Sequence, residues 1–102
     1  MKLTENQRNY LVKQIAEKIN DGDFENGFYF QADSLNIIWS RNDEAYVVLK
    51  PDITYEYVGP EHLDSTIDEL SDEALFEYLE NNEGIETQEE LDEYFEDLEV
   101  EA

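Results

Sequence analysis

The chain has no cysteine, which excludes disulfides and thiolate metal sites and fits a reducing compartment. Its four glycines, Gly22, Gly27, Gly59 and Gly84, are scattered, so neither a phosphate-cradling loop nor a dinucleotide fingerprint can form. The single histidine, His62, lies in a Pro-Glu-His-Leu stretch with no recognisable nucleophile partner. The nuclease pattern of an acid two residues before a catalytic Lys also fails, because Leu11, Ala16 and Val48 hold that place before Lys13, Lys18 and Lys50. No apolar run approaches membrane-spanning length, and the opening MKLTENQRNY has no apolar leader. The expectation is a soluble, cytoplasmic protein that is not an enzyme and needs no cofactor or metal.

The most informative absence is positive charge. All six basic residues (Lys2, Arg8, Lys13, Lys18, Arg41, Lys50) lie in the first 51 positions beside eight acids, a net −2. The other twenty of the 28 acids lie in residues 52–102 with no Lys or Arg among them. The total of −22 is far beyond the roughly 2–8 charges that keep a small domain soluble. A field of that sign repels nucleic acid and anionic membranes and attracts basic protein surfaces.

Against these absences stand 40% hydrophobic and 13% aromatic residues, too many for an acidic disordered tail. At 102 residues neither half can bury a core alone, so the reading is one domain, 1–102, with an acidic helical segment over 61–102.

Thr4 and Gln7 form a T-x-x-Q capping box. Leu11, Ile15 and Ile19 then recur every fourth residue until Asp21-Gly22-Asp23 ends the helix. Alternating runs follow at 27–31, 35–40, 45–50 and 53–58, with short turns that imply antiparallel hairpins. Leu35, Ile37 and Trp39 share one face, as do Ile53, Tyr55 and Tyr57. Pro51 separates the last two runs or leaves the fourth at an edge.

After Gly59-Pro60 the period lengthens to about 3.6. Thr66 and Glu69 are placed to cap a short helical turn. Ser71 caps a helix over about 72–82 that stops near Gly84, with Leu75, Phe76 and Leu79 buried. Thr87 and Glu90 cap a last helix in which Leu91, Tyr94, Phe95 and Leu98 form an apolar stripe. The chain reads as free of internal repeats and low-complexity linkers. The fold class expected is α+β: an N-terminal helix, a three- to four-stranded antiparallel sheet and two acidic C-terminal helices.

TQEELDEYFEDLE, residues 87–99, carries seven carboxylates and no base. Glu89, Glu93 and Glu96 stand opposite the apolar stripe. Carboxylates three or four residues apart lie about 5–6 Å from one another at Cβ and repel by about 0.2–0.5 kcal/mol per pair. A purely solubilising surface mixes signs. This one-sign pattern points instead to imitation of a phosphate backbone, presented to a groove that releases counterions when it binds nucleic acid.

The same pattern also fits a solvated helix face, halophilic adaptation, or an acidic adaptor or chaperone for a basic DNA-binding protein. A calcium loop at NNEGIETQEEL is opposed by Leu79, which holds the first ligand position where an Asp is needed. The aromatics Tyr29, Trp39, Tyr55 and Tyr57 are assigned mostly to the core, since stacking on single-stranded nucleic acid requires accompanying bases. An exposed Tyr on an edge strand would instead serve as an apolar anchor for a protein.

In element order and charge the chain resembles small phage-encoded inhibitors that mimic nucleic acid, nearest the Cas9-inhibiting anti-CRISPR proteins. Anti-restriction proteins and inhibitors of uracil-DNA glycosylase share the charge logic. The resemblance runs from the helix at Thr4 through LNIIWS and AYVVLK to the acidic segment DELSDEALFEYLENNEGIETQEELDEYFEDLE, and it rests on no diagnostic motif. It implies a stoichiometric inhibitor that occupies the DNA- or PAM-binding surface of a nuclease such as Cas9 or a restriction enzyme, in a bacterial host infected by a phage or carrying a prophage. The residues expected to stand in for phosphates are Asp68, Glu69, Asp72, Glu73, Glu77 and Glu80, and in the last helix Glu89, Glu90, Asp92, Glu93, Glu96 and Asp97. The partner is a basic nucleic-acid-binding protein, with no direct contact to nucleic acid or membrane.

Overall fold

Thr4 begins the first helix through the reciprocal bonds its sequence predicts. Its hydroxyl accepts from the Gln7 amide at 3.2 Å, and the Gln7 side chain accepts from the Thr4 amide at 3.0 Å. In the computed structural model, which describes residues 1–22 and 28–102, this helix is α1, Glu5–Asn20. It buries Leu11, Val12, Ile15, Ala16 and Ile19 along one side. Asp21 caps it and Gly22 leaves in the left-handed region at φ +78°, where a Cβ would be strained. Asp23 and Gly27, expected to end the helix and open the first strand, lie outside the described residues.

Strands β1 (Phe28–Phe30), β2 (Leu35–Ser40), β3 (Ala45–Leu49) and β4 (Tyr55–Val58) form one antiparallel meander in chain order. Pro51 falls in the β3–β4 turn and β4 is an edge strand. Ile53, expected in the strand, instead sits in the turn at φ +68° and is 85% exposed. Helices α2 (Leu63–Asp68), α3 (Asp72–Glu83) and α4 (Gln88–Asp97) complete an α+β fold. Gly84 stops α3 in a left-handed cap, with its amide donating to the Leu79 carbonyl.

Thr66 does not cap α2. It lies inside that helix, buried beside Leu63 and Ile67, while His62 holds the cap position without a side-chain bond.

The described helices cover one side of the sheet. Phe30, Leu35, Ile37, Tyr46 and Val48 meet the buried residues of α1 to α4 in a single core. That one-sidedness corrects the expected burial of the aromatics. The register pairs Tyr29 with Asn36, Tyr57 with Val47 and Tyr55 with Leu49, all on the face opposite Ile37 and Val48. Tyr29, Tyr55 and Tyr57 are accordingly more than half exposed. Trp39 has core-side parity but stands near the end of β2, against Tyr46 at a centroid distance of 5.0 Å, and is 44% exposed. In α3, Tyr78 is buried where Phe76 was expected, and Phe76 is half-buried. Leu98 is exposed because α4 ends at Asp97 and leaves it as the C-cap.

Candidate functional site

The two acidic helices are built by the same local chemistry. Ser71 accepts from the Ala74 amide at 3.3 Å and Thr87 from the Glu90 amide at 3.2 Å, so each helix starts on a hydroxyl cap. Acids in both first turns, Asp72 and Glu73 in α3 and Glu89 and Glu90 in α4, favour the positive end of the helix dipole. Neither last turn carries a base of its own. Lys18 of α1 reaches Glu83 at 3.5 Å and partly answers that charge in α3.

Aligning the two caps exposes an internal repeat, contrary to the repeat-free reading. Shifting Ser71 onto Thr87, an offset of 16 residues, superposes Glu73 on Glu89, Leu75 on Leu91, Glu77 on Glu93, Tyr78 on Tyr94, Glu80 on Glu96 and Glu83 on Glu99. Leu79 falls on Phe95, and both are buried. Each helix therefore sets a carboxylate stripe at i, i+4 and i+7 opposite its apolar anchors: Glu73, Glu77, Glu80 and Glu89, Glu93, Glu96. The signal was in the sequence, hidden because the matching residues alternate with unmatched ones at helical spacing.

The twelve expected acids do not form one equivalent set. Arg8 binds Asp72 Oδ1 at 2.7 Å and lies 3.9 Å from the Asp68 carboxylate, so these two charges are met within the fold. The Glu77 carboxylate accepts from the amides of Gln31 and Ala32 at 2.8 and 2.9 Å, fastening α3 to the 3-10 turn Gln31–Asp33 after β1. Glu90 Oε1 accepts from the Thr87 hydroxyl at 3.1 Å and the Glu86 amide at 3.2 Å. This differs from the reciprocal capping box expected, in which the Thr87 amide would donate. Asp92 accepts from the Gln88 side chain at 3.0 Å.

Among the described residues, Glu69, Glu73, Glu80, Glu89, Glu93, Glu96 and Asp97 make no side-chain hydrogen bond or ion pair, and all seven are exposed. Six of them lie on the repeated helices; Glu69 stands apart at the end of α2.

Behind the helices, burial raises the pKa of the Tyr94 phenol well above its ordinary value, and the carboxylate of Glu83 and the phenols of Tyr10 and Tyr78 add to the effect. The α4 side chains are held by packing rather than by charge. Phe95 sits edge-on to Tyr10 at 6.3 Å and to Tyr94 at 5.2 Å. The stripe is thus fixed on a helix anchored to α1.

Two shallow clefts of about 270 and 220 Å³ flank Thr66 and Glu69, bordered by His62 and Glu56 on one side and Lys50 and Asp33 on the other. The first is lined by His62, Ser65, Thr66 and Glu69, and among the described residues no side-chain hydrogen bond joins His62 to Ser65 or Thr66. Among the described residues no three His, Asp or Glu side chains converge on a metal-sized site, and Gly84, central to the calcium-loop reading, serves as a helix stop.

The chain matches no known protein-family model, no curated protein and no solved structure.

Proposed function

We propose that the protein is a stoichiometric inhibitor that presents α3 and α4 as a substitute for a nucleic-acid backbone to the basic groove of a DNA-handling enzyme, in the manner of anti-CRISPR or anti-restriction proteins. The observation that carries this reading is the set of exposed carboxylates that have no partner among the described residues on two folded, capped helices: Glu73 and Glu80 on α3, and Glu89, Glu93, Glu96 and Asp97 on α4. Such a surface meets Lys and Arg that otherwise neutralise phosphates. Being ordered before binding, it loses less entropy than a flexible acidic tail would. Asp68, Asp72 and Glu77 hold the scaffold, and their charges contribute through the overall field.

The test is binding of the full chain to a purified Cas9–guide complex and to a restriction endonuclease, each with and without its cognate duplex. The expected result is one-to-one capture of at least one enzyme, loss of its DNA cleavage, displacement by DNA and weakening as salt rises. A variant carrying Gln at positions 73, 80, 89, 93 and 96 should stay folded and lose binding. Capture that survives this variant, or that leaves DNA binding and cleavage untouched, removes the charge-mimic reading and favours the adaptor.

A further inference from the structure

Among the described residues, the strand positions on the face of the sheet away from the helices carry no charged side chain, in a chain with 33% charged residues. Its residues, read from the register, run in three rows across the strands. Tyr29, Asn36, Leu49 and Tyr55 form the first row. Ile38, Val47 and Tyr57 form the second, and Ser40 and Ala45 the third. Tyr29 is 54%, Ile38 42%, Leu49 40%, Tyr55 60% and Tyr57 55% exposed. Tyr55 and Tyr57 pack edge to face at 5.8 Å, which leaves both rings on the surface as a preformed pair. Charges stand at the ends of this face, with Arg41, Asp43 and Glu44 at the β2–β3 turn and Lys50 and Asp52 beyond β3.

We infer that this face is the interface of a homodimer, in which two copies pack sheet against sheet about a two-fold axis. This inference is independent of the charge-mimic reading. Two observations select a second copy as the occupant. The first is charge. A basic groove drawn to α3 and α4 meets the opposite side of the molecule and gains nothing electrostatically here, whereas an uncharged face is complementary to itself. Packing face to face, with sheets about 10 Å apart, also puts both helix layers outermost. The anionic stripes are then separated by several Debye lengths, each about 8 Å at physiological salt. On this face two chains of net −22 can meet with little local repulsion, because its strand residues carry no charge.

The second observation is area. The exposed parts of the five apolar residues amount to roughly 400–500 Å² on ordinary side-chain sizes. That lies in the upper part of the 300–600 Å² range of the largest patch on a typical monomer. It also matches the apolar share, a little over half, of the roughly 800 Å² that each partner buries in a standard interface. The turn residues at either end supply the polar rim. The dimer so formed would display two anionic helix pairs facing outward.

Sedimentation velocity of the full chain, from micromolar to about millimolar concentration, tests this at about 0.1 and 1 M salt. The expected result is a two-chain species that becomes more stable as salt rises, the opposite of the salt response expected for capture of a basic enzyme. Ile38→Lys places like charges close together across the two-fold axis and should weaken association about tenfold or more. Tyr57→Ser should weaken it less. Circular dichroism and thermal unfolding check that each variant remains folded, and the milder Tyr57→Ser keeps the test open if Ile38→Lys does not fold. A monomer throughout the range, a dimer unmoved by the folded variants, or a dimer that dissociates as salt rises would overturn the inference.

Discussion

The guanidinium of Arg8 lies 2.7 Å from the Asp72 carboxylate and donates as well to the backbone carbonyls of Asp68 and Leu70. One cation of α1 thereby closes the loop between α2 and α3 and meets the first turn of an acidic helix. Arg8→Ala leaves those carbonyls without their donor and an acid without its counter-ion. The expected loss is about 2 kcal/mol, given the partial exposure of the pair and the usual strength of charge-assisted bonds. In thermal unfolding that is a fall of roughly 8–16 °C in Tm. Arg8→Lys should recover only part of it, because an ammonium lacks the planar fork that reaches three acceptors.

Glu77 and Glu93 are equivalent positions of the repeat with different duties. Glu77 holds the amides of Gln31 and Ala32, while Glu93 has no partner among the described residues. Glu77→Gln retains one acceptor oxygen and is expected to destabilise by about 1 kcal/mol, and Glu77→Ala by about 2. Glu93→Gln removes repulsion from Glu89, Glu90, Glu96 and Asp97, each about 0.2–0.5 kcal/mol, so it should raise stability slightly. Urea midpoints of the single variants check the contrast. Equal effects at the two positions would show that the Glu77 bonds contribute nothing net.

Ile53 occupies the β3–β4 turn at φ +68°, a region that a β-branched residue enters only under strain, and its side chain covers almost nothing. Ile53→Asn keeps the turn and relieves the clash of the branched Cβ. A gain of about 1 kcal/mol is expected, a Tm rise of roughly 4–8 °C. An unchanged or lower Tm would mean that the Ile53 side chain stabilises the hairpin in a way its exposure does not show.

Alkaline pH should unfold the protein earlier than its acidity suggests. Burial raises the pKa of Tyr94, with Glu83 adding to the effect, and burial together with Asp21 raises that of Tyr46. Burial alone would lower the pKa of Lys18, but Tyr78 and Glu83 outweigh it and the net direction is upward. All three groups favour their protonated forms in the folded state. Their contribution is complete below the ordinary values of 10.0 for tyrosine and 10.5 for lysine, and it is lost as pH rises through the higher folded values. Stability measured by urea should therefore fall above about pH 10. Tyr94→Phe should flatten that fall. A variant with an identical alkaline profile would show that Tyr94 does not drive it.

Much of the fold was legible because local signals agreed. Thr4 with Gln7, Ser71, Thr87 and Gly84 marked helix ends through bonds made within a few residues. Alternation marked β2 and β3 to within a residue. The misplaced strand tyrosines share one cause. Alternation states that Tyr55 and Tyr57 share a face, yet it cannot say which face a helix will cover. Trp39 has a different cause: its parity is that of the core, and its place near the strand end leaves it exposed. Among the acids, sequence spacing grouped twelve carboxylates by proximity along the chain. It could not show that Arg8 comes from 64 residues away to meet Asp72, or that Glu77 turns to the amides of a distant loop.

Composition and period by themselves determined an α+β chain with its net negative charge concentrated in the second half, because charge and hydrophobic spacing are properties of neighbours in sequence. Tertiary structure alone decided which carboxylates have no partner among the described residues and which side of the sheet the described helices leave uncovered. Both depend on where α1 and α3 pack, and packing brings together groups that the chain keeps far apart.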